Sequence, residues 1–267
     1  MDNKPIGIFD SGVGGLSVFN RLIKLLPNEN YIYFGDTLNL PYGDKTKEQL
    51  IEISRGIFDF FASQKVKAVV MACNTTSAIT YEIFKDVYNY KIYPVVQTMA
   101  REIAFSNYKR IGVFATNATI NAHAYRKNIN AFNTNIEVYE MACPEWVQIV
   151  ENNIINEEKS INDIKKYIVE MLKSNPDKII LGCTHYPYLI EALSRYADKN
   201  LFLNPADCVA EFVAEDLKAN SLLSDNTCGS TKFYVSSNPE QFINSSKLFF
   251  DVKEAEKISI KESLTLT

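Results

Sequence analysis

Short apolar runs alternate along the chain with segments whose apolar positions recur every three or four residues. The runs fall at 6–9, 31–34, 68–72, 92–96, 111–115, 136–141, 178–181, 201–203 and 233–235. Several are continuous β-branched or aromatic stretches without alternation, the pattern of strands buried on both faces. Between them lie amphipathic segments. Thr46-Lys47-Glu48-Gln49 reads as a capping box, and Leu50, Ile53, Ile57 and Phe61 then share one helical face. Residues 160–163 open a second such helix, with Ile161, Ile164, Ile168 and Leu172 along its stripe. This alternation predicts an α/β fold of mainly parallel sheets flanked by helices.

The pattern repeats. Ile6-Gly7-Ile8-Phe9-Asp10-Ser11 is echoed by Ile111-Gly112-Val113-Phe114-Ala115-Thr116, and the next strand is expected 25 positions later in each case, at Tyr31 and near Ile136. Val69-Val70-Met71-Ala72-Cys73-Asn74-Thr75 is then echoed by Ile179-Ile180-Leu181-Gly182-Cys183-Thr184-His185. Similar order and spacing predict two related α/β units, although short apolar matches also arise by chance.

Composition narrows the function classes. A length of 267 residues allows one large domain or two small ones. With 28 basic and 32 acidic residues the net charge is −4, so no basic footprint for nucleic acid is present. The first five residues run straight into a strand with no signal-peptide pattern, and no apolar run approaches a membrane span. Five scattered cysteines do not form a disulfide framework. Free thiols in a reducing cytoplasm are expected.

Three polar clusters sit at strand ends. Asp10-Ser11-Gly12-Val13-Gly14-Gly15 leads into a helical face of Leu16, Val18, Phe19, Leu22 and Ile23. Such a turn lets backbone approach a ligand and offers helix N-terminal N–H groups to an anion. A dinucleotide site competes here, with Asp36 at the end of the next strand, but Ser17 stands where the third glycine belongs and Asp10 would oppose a pyrophosphate. Gly35-Asp36-Thr37 and Pro41-Tyr42-Gly43 read by themselves as ordinary turn chemistry.

Cys73 and Cys183 each follow an apolar strand and precede a polar residue and an expected helix. Ligands bind at the carboxyl ends of parallel strands, and a helix N-terminus there favours thiolate. One such cysteine is more often a small buried hydrophobe. Two at equivalent places in a duplication, flanked by Asn74-Thr75 and Thr184-His185, point instead to chemistry. Cys143, Cys208 and Cys228 lack this context and read as structural. Only His123 and His185 are available as histidine ligands and there is no CxxC pair, so no metal site is expected. A single Cys183–His185–Asp10 nucleophile system is possible on residue types, but leaves Cys73 unexplained.

Two like groups on opposite sides of a cleft suit racemisation, in which one face of a carbon loses a proton and the other gains one. Environment moves a thiol's pKa across neutrality, so each cysteine can serve as acid or base. Without a cofactor, the carbanion-like centre beside a carboxylate needs preorganised donors. Ser11, Asn74, Thr75 and Thr184 are candidates, with Asp10 and His185 as tuners of one thiol each.

These stretches, with Gly182-Cys183-Thr184-His185-Tyr186-Pro187, make the chain resemble the glutamate racemases of the aspartate/glutamate racemase family. The resemblance runs, in family order, over the first two-thirds of the sequence. It implies a cofactor-independent two-base enzyme, with glutamate as substrate and D-glutamate for peptidoglycan as its product. It implies two pseudo-symmetric α/β domains with the active site in the interdomain cleft: residues 1–97 and 208–267 form the first, residues 98–207 the second. Catalytic roles would fall to Cys73, Cys183, Asp10, His185 and Glu151. Substrate contacts would fall to Asp10, Ser11, Pro41, Tyr42, Gly43, Asn74, Thr75, Thr116, Thr119, Thr184 and His185. A homodimer is expected. Two departures stand out: Thr76 replaces a small residue, and Glu145-Trp146 replaces apolar ones on the approach to Glu151. The tail from Lys253 is expected to be an edge strand or a frayed end.

Overall fold

A computed structural model describes residues 1–260. The apolar runs form strands β1 (Ile6–Asp10), β2 (Tyr31–Gly35), β3 (Ala68–Met71), β4 (Lys91–Pro94), β5 (Arg110–Ala115), β6 (Glu137–Ala142), β7 (Lys178–Gly182), β8 (Phe202–Leu203) and β9 (Thr231–Val235). A two-residue strand β10 (Glu256–Lys257) pairs with β9, so the tail does supply an edge strand. The run at 92–96 divides, because Pro94 ends β4 and caps the helix that starts at Val95.

Helices α1 (Leu16–Leu25), α2 (Lys47–Ser63), α3 (Asn74–Phe84) and α4 (Val95–Ala104) alternate with the first strands. They are followed by α5 (Asn117–Asn121), α6 (Ala124–Asn130), α7 (Trp146–Glu151), α8 (Glu158–Leu172), α9 (Ile190–Leu193), α10 (Pro205–Ala219) and α11 (Pro239–Ser246). The capping box forms as expected: Thr46 and Gln49 satisfy each other's backbone N–H at the start of α2. Helix α8 begins at Glu158, slightly before the expected start, and buries Ile164, Ile168 and Met171.

All strand pairs are parallel. One sheet runs β10-β9-β2-β1-β3-β4, the other β6-β5-β7-β8. The second repeats the β2-β1-β3-β4 core of the first, which carries the duplication into topology. The pairing registers refine the spacing. Ile6 pairs with Tyr31, 25 positions on, whereas Ile111 pairs with Val138, 27 positions on. Gly7 and Gly112 occupy equivalent places, and a Cβ at either would lie 2.6 Å from the helix packed above it, at Phe61 or Met171.

Side-chain alternation sends the two faces of the larger sheet into different cores. Phe9, Ile32, Phe34, Val69 and Met71 meet Ile57, Phe58 and Phe61 of α2. Ile6, Ile8, Tyr31, Tyr33 and Val70 join Leu16, Phe19 and Leu22 of α1, in a core continuous with that of the second sheet. The chain passes between the sheets in α4 and α10, and returns through α10 to supply β9 and β10.

That return is held by a buried ion pair. Lys67 Nζ, just before β3, donates to Glu29 Oε2 at 2.5 Å, to the Asp2 carbonyl at 2.7 Å and to the Leu222 carbonyl at 2.8 Å. Glu29 Oε1 accepts from the Ser224 N–H at 2.8 Å. All three ammonium protons are used, and both side chains are essentially excluded from water. Lys67→Met should therefore cost about 3–5 kcal/mol in denaturant unfolding, because it leaves a buried carboxylate unpaired. The double replacement Lys67→Met/Glu29→Gln should recover part of that loss.

Candidate active site

A parallel sheet sends all strand carboxyl ends to one edge, and ligands collect where the strand order reverses direction. Here β1 connects leftward to β2 and β3 lies to its right; β5, β6 and β7 repeat the arrangement. Phe9 pairs with Met71, which places Ser11 and Cys73 just beyond the paired ends of β1 and β3. Ala115 pairs with Gly182, which places Thr116 and Cys183 just beyond β5 and β7. Each thiol thus stands at the switch point of its own sheet.

Both thiols line one cavity of about 110 Å³, together with Ser11, Pro41, Tyr42, Gly43, Asn74, Thr75, Thr116, Thr184 and His185. Sequence reasoning named all of these. Asp10, Thr119 and Glu151 stand behind the wall. Thr119 is buried and meets Thr116 at 3.1 Å, while Thr116 meets Thr75 across the cleft at 3.0 Å. Leu40, Asp44, Asn117, Pro144, Val147 and Gln148 also line the cavity and were not anticipated as site residues. Gln148 had a signal, since it lies three residues before Glu151 on α7 and so shares its face.

The glycine turn after β1 is closed to a pyrophosphate. The Asp10 carboxylate accepts from the Gly12 N–H at 3.1 Å and from the Thr184 hydroxyl at 3.3 Å, filling the place a pyrophosphate would need. Gly14 makes room for the opposite wall: a Cβ there would lie 2.4 Å from Thr184 Oγ1 and 2.7 Å from His185 Cε1. Burial raises the Asp10 pKa, opposed by the His185 charge and by the backbone and Thr184 hydrogen bonds.

Asp36 is more than a turn residue. It is buried and accepts from the Tyr42 hydroxyl at 2.5 Å and from the Asn39 amide at 2.9 Å. This pins the 36–44 loop, which includes a cis Leu40–Pro41 bond, over the cavity.

The surroundings of the two thiols differ. Cys73 caps α3, but burial dominates and the Asp10 charge adds to it, so its thiol is pushed up to about 12. Cys183 is followed by a short 3₁₀ turn (Tyr186–Leu189), not by the expected helix. Its partner is His185, whose Nδ1 lies 3.8 Å from the sulfur, while Nε2 meets Glu151 Oε1 at 3.1 Å. Burial works against the imidazolium, yet the hydrogen bonds and charges of Cys183 and Glu151 outweigh it and raise His185 to about 10. Asp10 acts on Cys73 through its charge and not through a hydrogen bond, so the expected pairing of one tuner per thiol is direct only for His185.

The departures before Glu151 are absorbed by packing. Trp146 is fully buried against Phe114 and Tyr186 and donates to Asp163 at 3.1 Å, and the short helix it opens still delivers Glu151 to His185. Thr76 is also buried, its hydroxyl donating to the Cys73 carbonyl at 3.2 Å. Among the described residues no group of three or more His, Cys, Asp or Glu is placed to hold a metal ion, and no helix is long and apolar enough to cross a membrane.

Two duplicated parallel sheets, each presenting a cysteine at its switch point to one shared polar cavity, define a class of paired-thiol α/β proteins built for chemistry at a small polar molecule. The sequence pattern of the Asp/Glu/Hydantoin racemase family matches residues 6–213, and the chain belongs to that family. It is 39% identical over 255 residues to a glutamate racemase of Thermoanaerobacter pseudethanolicus, covering 95% of this chain and 96% of that one. A crystal structure of glutamate racemase from Francisella tularensis in complex with D-glutamate superposes with a TM-score of 0.91 at 32% identity, covering 98% and 99% of the two chains. An aspartate racemase from Picrophilus torridus shares the fold at a TM-score of 0.59 and 17% identity, covering 80% and 94%.

The coupling of His185 to its neighbours carries a pH signature. Its pKa is higher folded than unfolded, so the stabilisation is complete below 6.5 and is lost as pH rises through about 10. In denaturant unfolding, wild type should exceed His185→Asn by most below 6.5, with the gap closing toward 10; a gap constant across this window would mean that the ring acts by packing alone.

Proposed function

We propose that this chain is a glutamate racemase, interconverting L- and D-glutamate with Cys73 and Cys183 as the acid–base pair. The observation that carries the two-base assignment is the placement of both sulfurs, from pseudo-equivalent strand ends, on one cavity. In one direction a thiolate removes the α-proton and the opposite thiol delivers its own to the other face; in the other direction the roles exchange. The glutamate assignment rests on the overall similarity to glutamate racemases across nearly the whole chain.

The differing surroundings suggest a resting state. Burial and Asp10 keep the proton on Cys73, whereas the sulfur of Cys183 has the raised imidazole of His185 beside it at 3.8 Å. A bound substrate's ammonium near Asp10 and Cys73 would relieve that bias and let Cys73 take its turn as base. Asn74, Thr75, Thr116, Thr184 and Ser11 supply the donors for the carboxylates and the developing charge beside the α-carbon. Asp10, Glu151 and Thr119 act from behind the cavity wall through Thr184, His185 and Thr116. No cofactor enters this scheme.

We further assign residues 1–97 with 208–260 to one domain and 98–207 to the other, their boundaries falling inside α4 and α10; residues 261–267 of the expected first domain lie outside the described residues. A cytoplasmic enzyme supplying D-glutamate for peptidoglycan fits the five free thiols. A homodimer fits the exposed pair Phe105 and Phe132, in ring contact at 5.8 Å.

Cys73→Ser and Cys183→Ser should each lower racemisation of glutamate by about 10²–10⁴, since each lacks the acid or base for one face. In deuterated solvent, residual α-proton exchange should favour opposite enantiomers in the two variants. Full racemase activity in either variant would overturn the two-base reading.

A further inference from the structure

One buried side chain touches the residue next to each thiol. Tyr125, on α6 of the half built on the second sheet, is fully buried, and its hydroxyl donates to Asn74 Oδ1 at 2.7 Å. Asn74 directly follows Cys73 and opens α3 on the first sheet. The Tyr125 ring meanwhile lies against Gly182, directly before Cys183, where a Cβ would come within 2.9 Å of Tyr125 Cε2. The ring thus rests on the strand that carries one sulfur, and the hydroxyl grips the residue beside the other.

The hydrogen bond determines what Asn74 offers to the cavity. A side-chain amide has one acceptor oxygen and one two-proton donor. With the oxygen held by Tyr125, the face of Asn74 left for a ligand is the NH₂ group. That group makes no hydrogen bond among the described residues, and the side chain lines the cavity. Without the tyrosine hydroxyl the amide could turn and present its carbonyl, which repels a carboxylate.

We propose that Tyr125 is a positioning residue of the racemase, which fixes the Asn74 amide as a donor toward a substrate carboxylate oxygen from across the domain boundary. This rests on the racemase reading above. A buried tyrosine needs a hydrogen-bond partner for stability alone, so the test must separate orientation of Asn74 from packing.

Tyr125→Phe keeps the ring on Gly182 and removes only the hydroxyl. On the wild-type background it should lower kcat/KM for glutamate about ten-fold, the worth of one well-placed hydrogen bond. On an Asn74→Ala background the same substitution should change kcat/KM by less than about two-fold, because the amide it acts through is gone. Equal losses on both backgrounds, or no loss on the wild-type background, would overturn the proposal. If turnover of Asn74→Ala is too slow to follow, the same four-variant comparison is made on the Kd for D-glutamate by calorimetry. The wild-type assay separates the two readings. Turnover of aspartate or a hydantoin in place of glutamate would refute the glutamate assignment, while the cycle run on that substrate would still decide the role of Tyr125.

Discussion

In a parallel sheet, the crossover helices carry the chain back so that every strand ends on the same edge. A reversal in strand order opens a crevice at that edge. This chain builds that crevice twice, between β1 and β3 and between β5 and β7, and sets the two to share one cavity. The rest follows from this constraint. A residue just past the paired end of β3 or β7, two positions on in the first half and one in the second, reaches the cavity, and in both halves that residue is a cysteine. Opposed groups of one chemical kind come from repetition of a backbone arrangement, with no special loop needed to aim them.

The repetition is not carried into the electrostatics. On one side Asp10, held by the Gly12 N–H and the Thr184 hydroxyl, adds its charge to burial in raising Cys73. On the other side His185 and Glu151 form a chain that ends beside Cys183. The two positions are symmetric while the charges and hydrogen bonds around them are not. Asp10 reaches Thr184 across the cleft, so each half helps to set the environment of the other's thiol. Threonine 75 and 116, and Tyr125 with Asn74, cross the same boundary.

Much of this was legible in the chain. The continuous apolar runs marked nine of the strands, and the echo between Val69–Thr75 and Ile179–His185 marked the duplication, because a strand buried on both faces and a polar cluster at its end leave distinct compositions. Boundaries were less legible. Pro94 ends β4 where the apolar run continues, and the second copy's pairing is offset by 27 positions where 25 was expected. Backbone pairing, which side chains do not encode singly, decides both. Asp36 read as turn chemistry, since nothing local reveals that Tyr42 folds back onto its carboxylate.

The sequence by itself determined the class of fold and the pair of cysteines, because strand-end motifs are local and their spacing repeats; Pro41, Tyr42, Gly43 and Thr116 of the cavity wall came only from the family resemblance. Only the tertiary structure decided which residues touch and which stand behind. Glu151 meets His185, Thr119 lies behind Thr116, and Tyr125 reaches Asn74 from 51 positions away. It also decided the pull on the Cys73 thiol. Burial and charge at a sulfur are summed over neighbours from both halves of the chain, and no stretch of sequence around either cysteine contains that sum.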